Sequence, residues 1–158
     1  MRKSRIASLL IITSMFINSF FNVYPVKAVE ITPNSAVMNQ IVQNSYDFLG
    51  ASYVYGAEGP SCFDCSGFVQ YLFNSYGFKL SRTTYDQIND GQPINKCDLQ
   101  EGDLVFFKSY STNGPTHVGI YIGDNNFIHA SSGKGCITIS SLNSPYYTDN
   151  YWGARRIY

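Results

Sequence analysis

Apolar positions recur with one period in the first half of the chain and another in the second. Val37, Met38, Ile41, Val42, Phe48 and Leu49 keep the spacing of one helical face, with Pro33-Asn34-Ser35 as a start and Gly50 as a stop. Phe68, Val69, Leu72, Phe73 and Tyr76 make a second stripe, N-capped by Asp64 and closed by Gly77. Thr84-Tyr85-Asp86-Gln87 reads as a capping box opening a short third helix that closes at Gly91. The period then changes to two. Residues 103–108, 116–122, 126–131, 136–140 and 152–158 read as strands separated by Gly, Asn, Pro and Ser clusters. Helices first and strands later predict an α+β domain, its N-terminal helices packed on an antiparallel sheet of about five strands.

The N-terminus carries a different pattern. Arg2, Lys3 and Arg5 precede a mostly apolar run over residues 6–21, and Val26-Lys27-Ala28 supplies the small residues of a cleavage site. Thr13, Ser14, Asn18 and Ser19 interrupt the run, which weakens it as a permanent span. The expectation is a signal peptide over residues 1–28 and a single exported domain over 29–158; the alternative is an uncleaved anchor. Cleavage would leave seven basic residues against 11 acidic ones, a net formal charge of −4. An acidic domain with no basic cluster argues against nucleic acid or an anionic membrane surface as partner, and no membrane insertion is expected after cleavage.

Cys65, inside Phe63-Asp64-Cys65-Ser66-Gly67-Phe68, has four possible uses: core atom, half of a disulfide, metal ligand or nucleophile. It falls in the first turn of the second helix, where free N–H groups and the dipole favour a thiolate. Small Ser66 and Gly67 leave room for a substrate. Only two histidines exist, His117 and His129. Facing residues of a hairpin sum to a constant and side chains alternate faces. A loop of three or five residues therefore puts both histidines on one face, with His129 across from a residue near Gly119. An odd loop, with Gly123 or an Asn left-handed, is predicted. In that register one histidine can orient the other, the third-group role of a triad. Zinc would use Cys62, Cys65, His117 and His129, but the histidines stand too far apart for a finger. A Cys62–Cys65 disulfide would silence the nucleophile. Cys97 and Cys136 can pair or remain half-buried thiols.

The order and spacing of Gly50-Ala51-Ser52-Tyr53, the Cys65 block, Leu80-Ser81-Arg82-Thr83-Thr84, Gly102-Asp103-Leu104-Val105-Phe106-Phe107, His117-Val118-Gly119-Ile120-Tyr121 and Ile128-His129-Ala130 resemble the NlpC/P60 cell-wall peptidases. The resemblance implies a papain-like α+β fold and a Cys–His–His triad, with Cys65 as nucleophile, His117 as base and His129 as orienter. It implies a peptidoglycan stem peptide as substrate, typically cut at the γ-D-glutamyl–diaminopimelate bond, with no metal or organic cofactor, and a secreted, wall-associated location. Tyr53 matches a tyrosine beside the nucleophile, suited to an oxyanion hole; the other use for it is as a core aromatic. Asp64 and Ser66 match positions on the substrate's acceptor side, although helix capping alone explains Asp64. Two departures bear on the substrate subsite. Tyr55-Gly56-Ala57 stands where Trp-Gly-Gly is usual, and Ser81 replaces a proline. A papain-like lipid acyltransferase is a rival, disfavoured because Cys65 precedes the histidines. A catalytically silent wall-binding module is another, disfavoured because all three triad positions are filled.

Overall fold

The computed structural model describes residues 33–158. The chain divides into two units, Met1–Glu30 and Ile31–Tyr158, and only the second is described. The predicted signal peptide lies outside the described residues. Among the described residues, no helix is long and apolar enough to cross a membrane.

Helix α1 (Pro33–Ser45) continues into a 3-10 turn at Tyr46–Phe48. Two short strands, β1 (Ser52–Tyr53) and β2 (Cys62–Phe63), precede helix α2 (Cys65–Ser75) and the four-residue α3 (Thr84–Gln87). There follow β3 (Gln92–Ile94), β4 (Leu104–Lys108), β5 (Pro115–Tyr121), β6 (Asn126–Ser131), β7 (Cys136–Ser141), helix α4 (Pro145–Asp149) and β8 (Tyr151–Arg156). One sheet holds all eight strands in the order β2-β1-β7-β6-β5-β4-β8-β3. The five predicted strands are its centre. The three extra ones have only two or three residues each, too few for a period of two to register. Every pairing is antiparallel except β1 with β2, so the expected antiparallel sheet is in fact mixed at one edge.

Alternation along the strands sorts two cores onto two faces. Leu104, Phe106, Val118, Ile120, Ile128 and Ala130 face α1 and α2, whose Ile41, Val42, Phe68, Val69, Leu72 and Phe73 cover them. Val105, Phe107, Phe127 and Ala154 face the other way, under Leu142, Tyr147 and Tyr151. Helix α2 ends as expected at Gly77, whose φ of 87° lets Phe78 N–H reach back to Phe73 O at 3.1 Å. The third helix starts differently. Its cap is Thr83, not Thr84: Thr83 Oγ1 accepts from Asp86 N–H and donates to the Asp86 carboxylate at 2.7 Å. Thr84 is instead buried, its hydroxyl donating to Pro115 O at 3.1 Å.

Candidate active site

Asp64 caps α2 with an extended backbone, φ −91° and ψ 177°, and its Oδ1 accepts the Gly67 N–H at 2.6 Å. Its Oδ2 takes the Gly56 N–H at 3.0 Å, while Asp64 N–H donates to Ala57 O at 2.9 Å. The loop around Tyr55-Gly56-Ala57 is thereby tied down onto the start of α2. Gly67 is required at this crossing, because a Cβ there would stand 2.3 Å from Ala57 O. Phe63 and Phe68, fully buried with rings 5.5 Å apart edge to face, bracket the turn from below. Cys65 is 9% exposed, and its Sγ lies 4.0 Å from Thr116 O.

The histidines come from β5 and β6. Ile120 pairs with Ile128 and Tyr121 with Phe127, so facing numbers sum to an even value. The turn is the three residues Gly123, Asp124 and Asn125, all at positive φ, an odd loop with Gly123 and an asparagine left-handed. His129 consequently shares a face with His117, and His117 Nε2 meets His129 Nδ1 at 2.7 Å. A β-bulge helps aim His117. Phe107 pairs with His117 but Lys108 pairs with Pro115, leaving Thr116 as the extra residue beside Cys65. His129 Nε2 lies 3.0 Å from Ser140 Oγ on β7 and 3.4 Å from the Tyr147 hydroxyl on α4.

Electrostatics at the thiol differ from the expectation. Burial, followed by the adjacent Asp64 carboxylate, pushes the Cys65 thiol up, outweighing the N–H groups of Val118, Ser66 and Cys65 that pull it down. Burial also depresses His117 to about 4, and burial with the nearby His117 depresses His129 to about 2. These shifts oppose the ion pair that a helix start alone would favour. The Tyr53 phenol is pushed up by burial and then by Cys65 and Asp64, so it stays protonated and able to donate. Burial works against the Asp64 carboxylate, but hydrogen bonds from Arg82, Gly67 and Gly56 hold it below the usual range.

Two cavities meet at the thiol. One of about 550 Å³ is lined by Asp64, Ser66, Arg82 and Tyr85; the other, about 560 Å³, by His117, Ser140, Lys134 and Tyr147. Tyr53, Cys65 and Thr116 line both, so the sulfur sits mid-groove. Every residue predicted for the site lines this groove except His129, which is buried behind His117. Three neighbours carry no predicted role. Arg82 forks onto Asp64 with Nη2 to Oδ2 at 2.6 Å and Nη1 to Oδ1 at 3.1 Å, while its Nε reaches Glu58 at 2.9 Å. An arginine just before a polar helix start is the available signal. Ser140 and Tyr147 give none, one being a hydroxyl on a polar strand face and the other lying on a five-residue helix.

All four cysteines are unbridged. Cys62 and Cys136 both pair with Ser52, from opposite sides, which sets them two strands apart. Cys97 follows β3 at the other edge of the sheet, five strand spacings or about 24 Å from the strand of Cys136, beyond the reach of a disulfide. Of the two alternatives, the second holds: both remain thiols, Cys136 half-buried and Cys97 exposed. Among the described residues, no three His, Cys, Asp or Glu side chains are grouped to hold a metal ion.

The pattern of the NlpC/P60 family matches residues 50–156. The chain is 43% identical over 125 residues to the Escherichia coli K12 protein named murein DD-endopeptidase MepS/murein LD-carboxypeptidase, covering 78% of this chain and 65% of that one. It is 36% identical over 119 residues to the Bacillus cereus gamma-D-glutamyl-L-lysine dipeptidyl-peptidase, covering 75% of this chain and 36% of that one. The crystal structure of an NlpC/P60 family protein from Bacillus cereus superimposes with a TM-score of 0.72 at 36% identity, over 75% of this chain and 39% of that one. The chain thus spans a third to two thirds of the length of these proteins. The match runs from the Gly50 loop through the Cys65 helix start and both histidine strands to β8, and this chain belongs to the NlpC/P60 family.

Proposed function

We propose that the protein is a thiol peptidase that hydrolyses amide bonds in peptidoglycan stem peptides, exported after loss of residues 1–28. The observation that carries this reading is the placement of Cys65 where two cavities join, with His117 lining one of them and hydrogen-bonded to His129 behind it. A groove open on both sides of the nucleophile suits a bond within a chain.

His117 takes the Cys65 proton as sulfur attacks the scissile carbonyl, forming the C–S bond. The Cys65 N–H, with the Tyr53 hydroxyl, receives the developing oxyanion. His117 then returns the proton to the leaving nitrogen as the C–N bond breaks. It next accepts a proton from the water that hydrolyses the thioester, and that proton goes back to Cys65. Because His117 serves the leaving nitrogen, the residue after the scissile bond occupies the His117 cavity. On this reading the acyl residue occupies the cavity of Asp64 and Ser66, the side opposite to the acceptor side that the resemblance implies for them.

The γ-D-glutamyl–diaminopimelate bond is the proposed target; the Bacillus cereus relative is named for a γ-D-glutamyl bond, there to L-lysine. The 43% identical relative named as a DD-endopeptidase supports a second reading, the D-alanyl–diaminopimelate cross-link. Synthetic peptides carrying one bond or the other decide between them. Release of diaminopimelate-terminated product from the γ-D-glutamyl peptide alone supports the first, and cleavage of the cross-link alone overturns it.

A further inference from the structure

Ser140 belongs to neither core, yet its Oγ stands 3.0 Å from His129 Nε2. The Tyr147 hydroxyl lies 3.4 Å from the same nitrogen, and the nearby Ser140 hydroxyl opposes the upward push that burial gives its phenol. With the 2.7 Å contact between His117 Nε2 and His129 Nδ1, four side chains form one hydrogen-bonded chain.

Such a chain has two polarities. A neutral imidazole carries one N–H and one lone pair, so the direction of each link fixes the next. Suppose the hydroxyls donate to His129 Nε2. His129 then carries its proton on Nδ1 and donates to His117 Nε2, and His117 holds its own proton on Nδ1, the nitrogen left over from the pair. It has no lone pair for the Cys65 proton. In the other polarity His117 Nε2–H donates to His129 Nδ1, and His129 Nε2–H must find an acceptor. His117 Nδ1 is then free. The second polarity alone makes His117 a base. Among the described residues, the groups bonded to His129 Nε2 are the Ser140 and Tyr147 hydroxyls, with no carboxylate or carbonyl, and Ser140 is the nearer. The titratable groups packed on His129 are His117 from β5 and Tyr147 from α4.

We infer that Ser140 is a positioning residue for the triad: it accepts the His129 Nε2–H, donates its own hydroxyl to Tyr147, and so selects the His129 tautomer that keeps His117 Nδ1 open. One proton moves in the catalytic step, from Cys65 Sγ to His117 Nδ1, and the others hold their places. This inference rests on the roles assigned to Cys65 and His117 above.

The test needs no peptidoglycan, so its failure is distinct from failure of the substrate reading. Isotope-edited nitrogen NMR of the histidine rings in the full folded chain reads the tautomers. Iodoacetamide alkylation of Cys65 across pH reads the base. The wild type is expected to carry the neutral-form proton on Nε2 of both histidines. Ser140→Ala should mix the His129 tautomers and slow neutral-pH alkylation by about tenfold, the worth of one hydrogen bond. Adding Tyr147→Phe should slow it further, and Ser140→Thr should restore both readings. A wild-type His129 protonated on Nδ1 overturns the inference. So does an Ala variant with unchanged tautomers and alkylation, or a Thr variant that restores neither.

Discussion

Gly119 on β5 stands across the hairpin from His129 on β6, and a Cβ at Gly119 would meet His129 Cβ at 3.1 Å, Ile128 O at 2.9 Å and the Phe127 ring at 2.6 Å. The missing side chain is what lets the second imidazole lie against the first. Gly119→Ala is expected to cost about 1–3 kcal/mol by overpacking. It should also lower kcat at least tenfold, because displacing an orienting ring by a fraction of an ångström spoils near-attack geometry. Chemical denaturation paired with steady-state kinetics checks both, and an unchanged kcat would contradict the role given to His129.

The Arg82–Asp64 pair fixes the turn that presents Cys65. Asp64 is 9% and Arg82 31% exposed at the side chain, so removing the guanidinium leaves a nearly buried carboxylate with backbone donors alone. Arg82→Met should destabilise by about 2–4 kcal/mol. Arg82→Lys should recover only part of that, since an ammonium cannot reproduce the fork. Equilibrium urea unfolding measures it; a stability loss below what an exposed pair would give would show that Asp64 does not depend on Arg82.

Folding stability should fall in acid. His117 and His129 are depressed from 6.5 to about 4 and about 2. Below about pH 6.5 the unfolded chain takes up protons that the folded chain refuses, so stability, full above that pH, declines toward pH 4 and beyond. Each pKa unit of separation is worth about 1.4 kcal/mol. Urea midpoints followed from about pH 8 to about pH 4, across the histidine range, should drop steadily, and His129→Gln should flatten the profile. A flat wild-type profile would contradict the buried neutral pair.

The resting thiol is a further point of measurement. Burial and Asp64 hold Cys65 protonated, so the part of the ultraviolet thiolate band that is lost in Cys65→Ala should be absent at neutral pH and appear only in alkali, above the ordinary cysteine range. A strong neutral-pH band that disappears in His117→Ala would establish an ion pair instead.

Much of this site is legible in the amino-acid sequence. The Asp64 cap, the stop at Gly77 and the central strands follow from local chemistry and period, which act within a few residues. Alternation leaves the hairpin two choices of parity, and the expected odd loop, which puts both histidines on one face, is the one formed. What escapes is non-local or short. Strands β1, β2 and β3 are too brief to show a period and exist through their neighbours. Thr83 displaces Thr84 as cap because the Thr84 hydroxyl is engaged by Pro115. The thiol's environment is misleading from local pattern, since a helix start promises stabilised charge, whereas burial, set by distant strands, withdraws solvent from it. Arg82, Ser140 and Tyr147 reach the site through tertiary folding, and little in their immediate sequence marks them.

The most direct test is mass spectrometry of purified peptidoglycan digested by the wild-type protein and by Cys65→Ala. The account predicts new stem-peptide fragments, each with a freed amine at the cut, from the wild type and none from the variant, with both proteins equally folded. Equal fragment release by Cys65→Ala would contradict it.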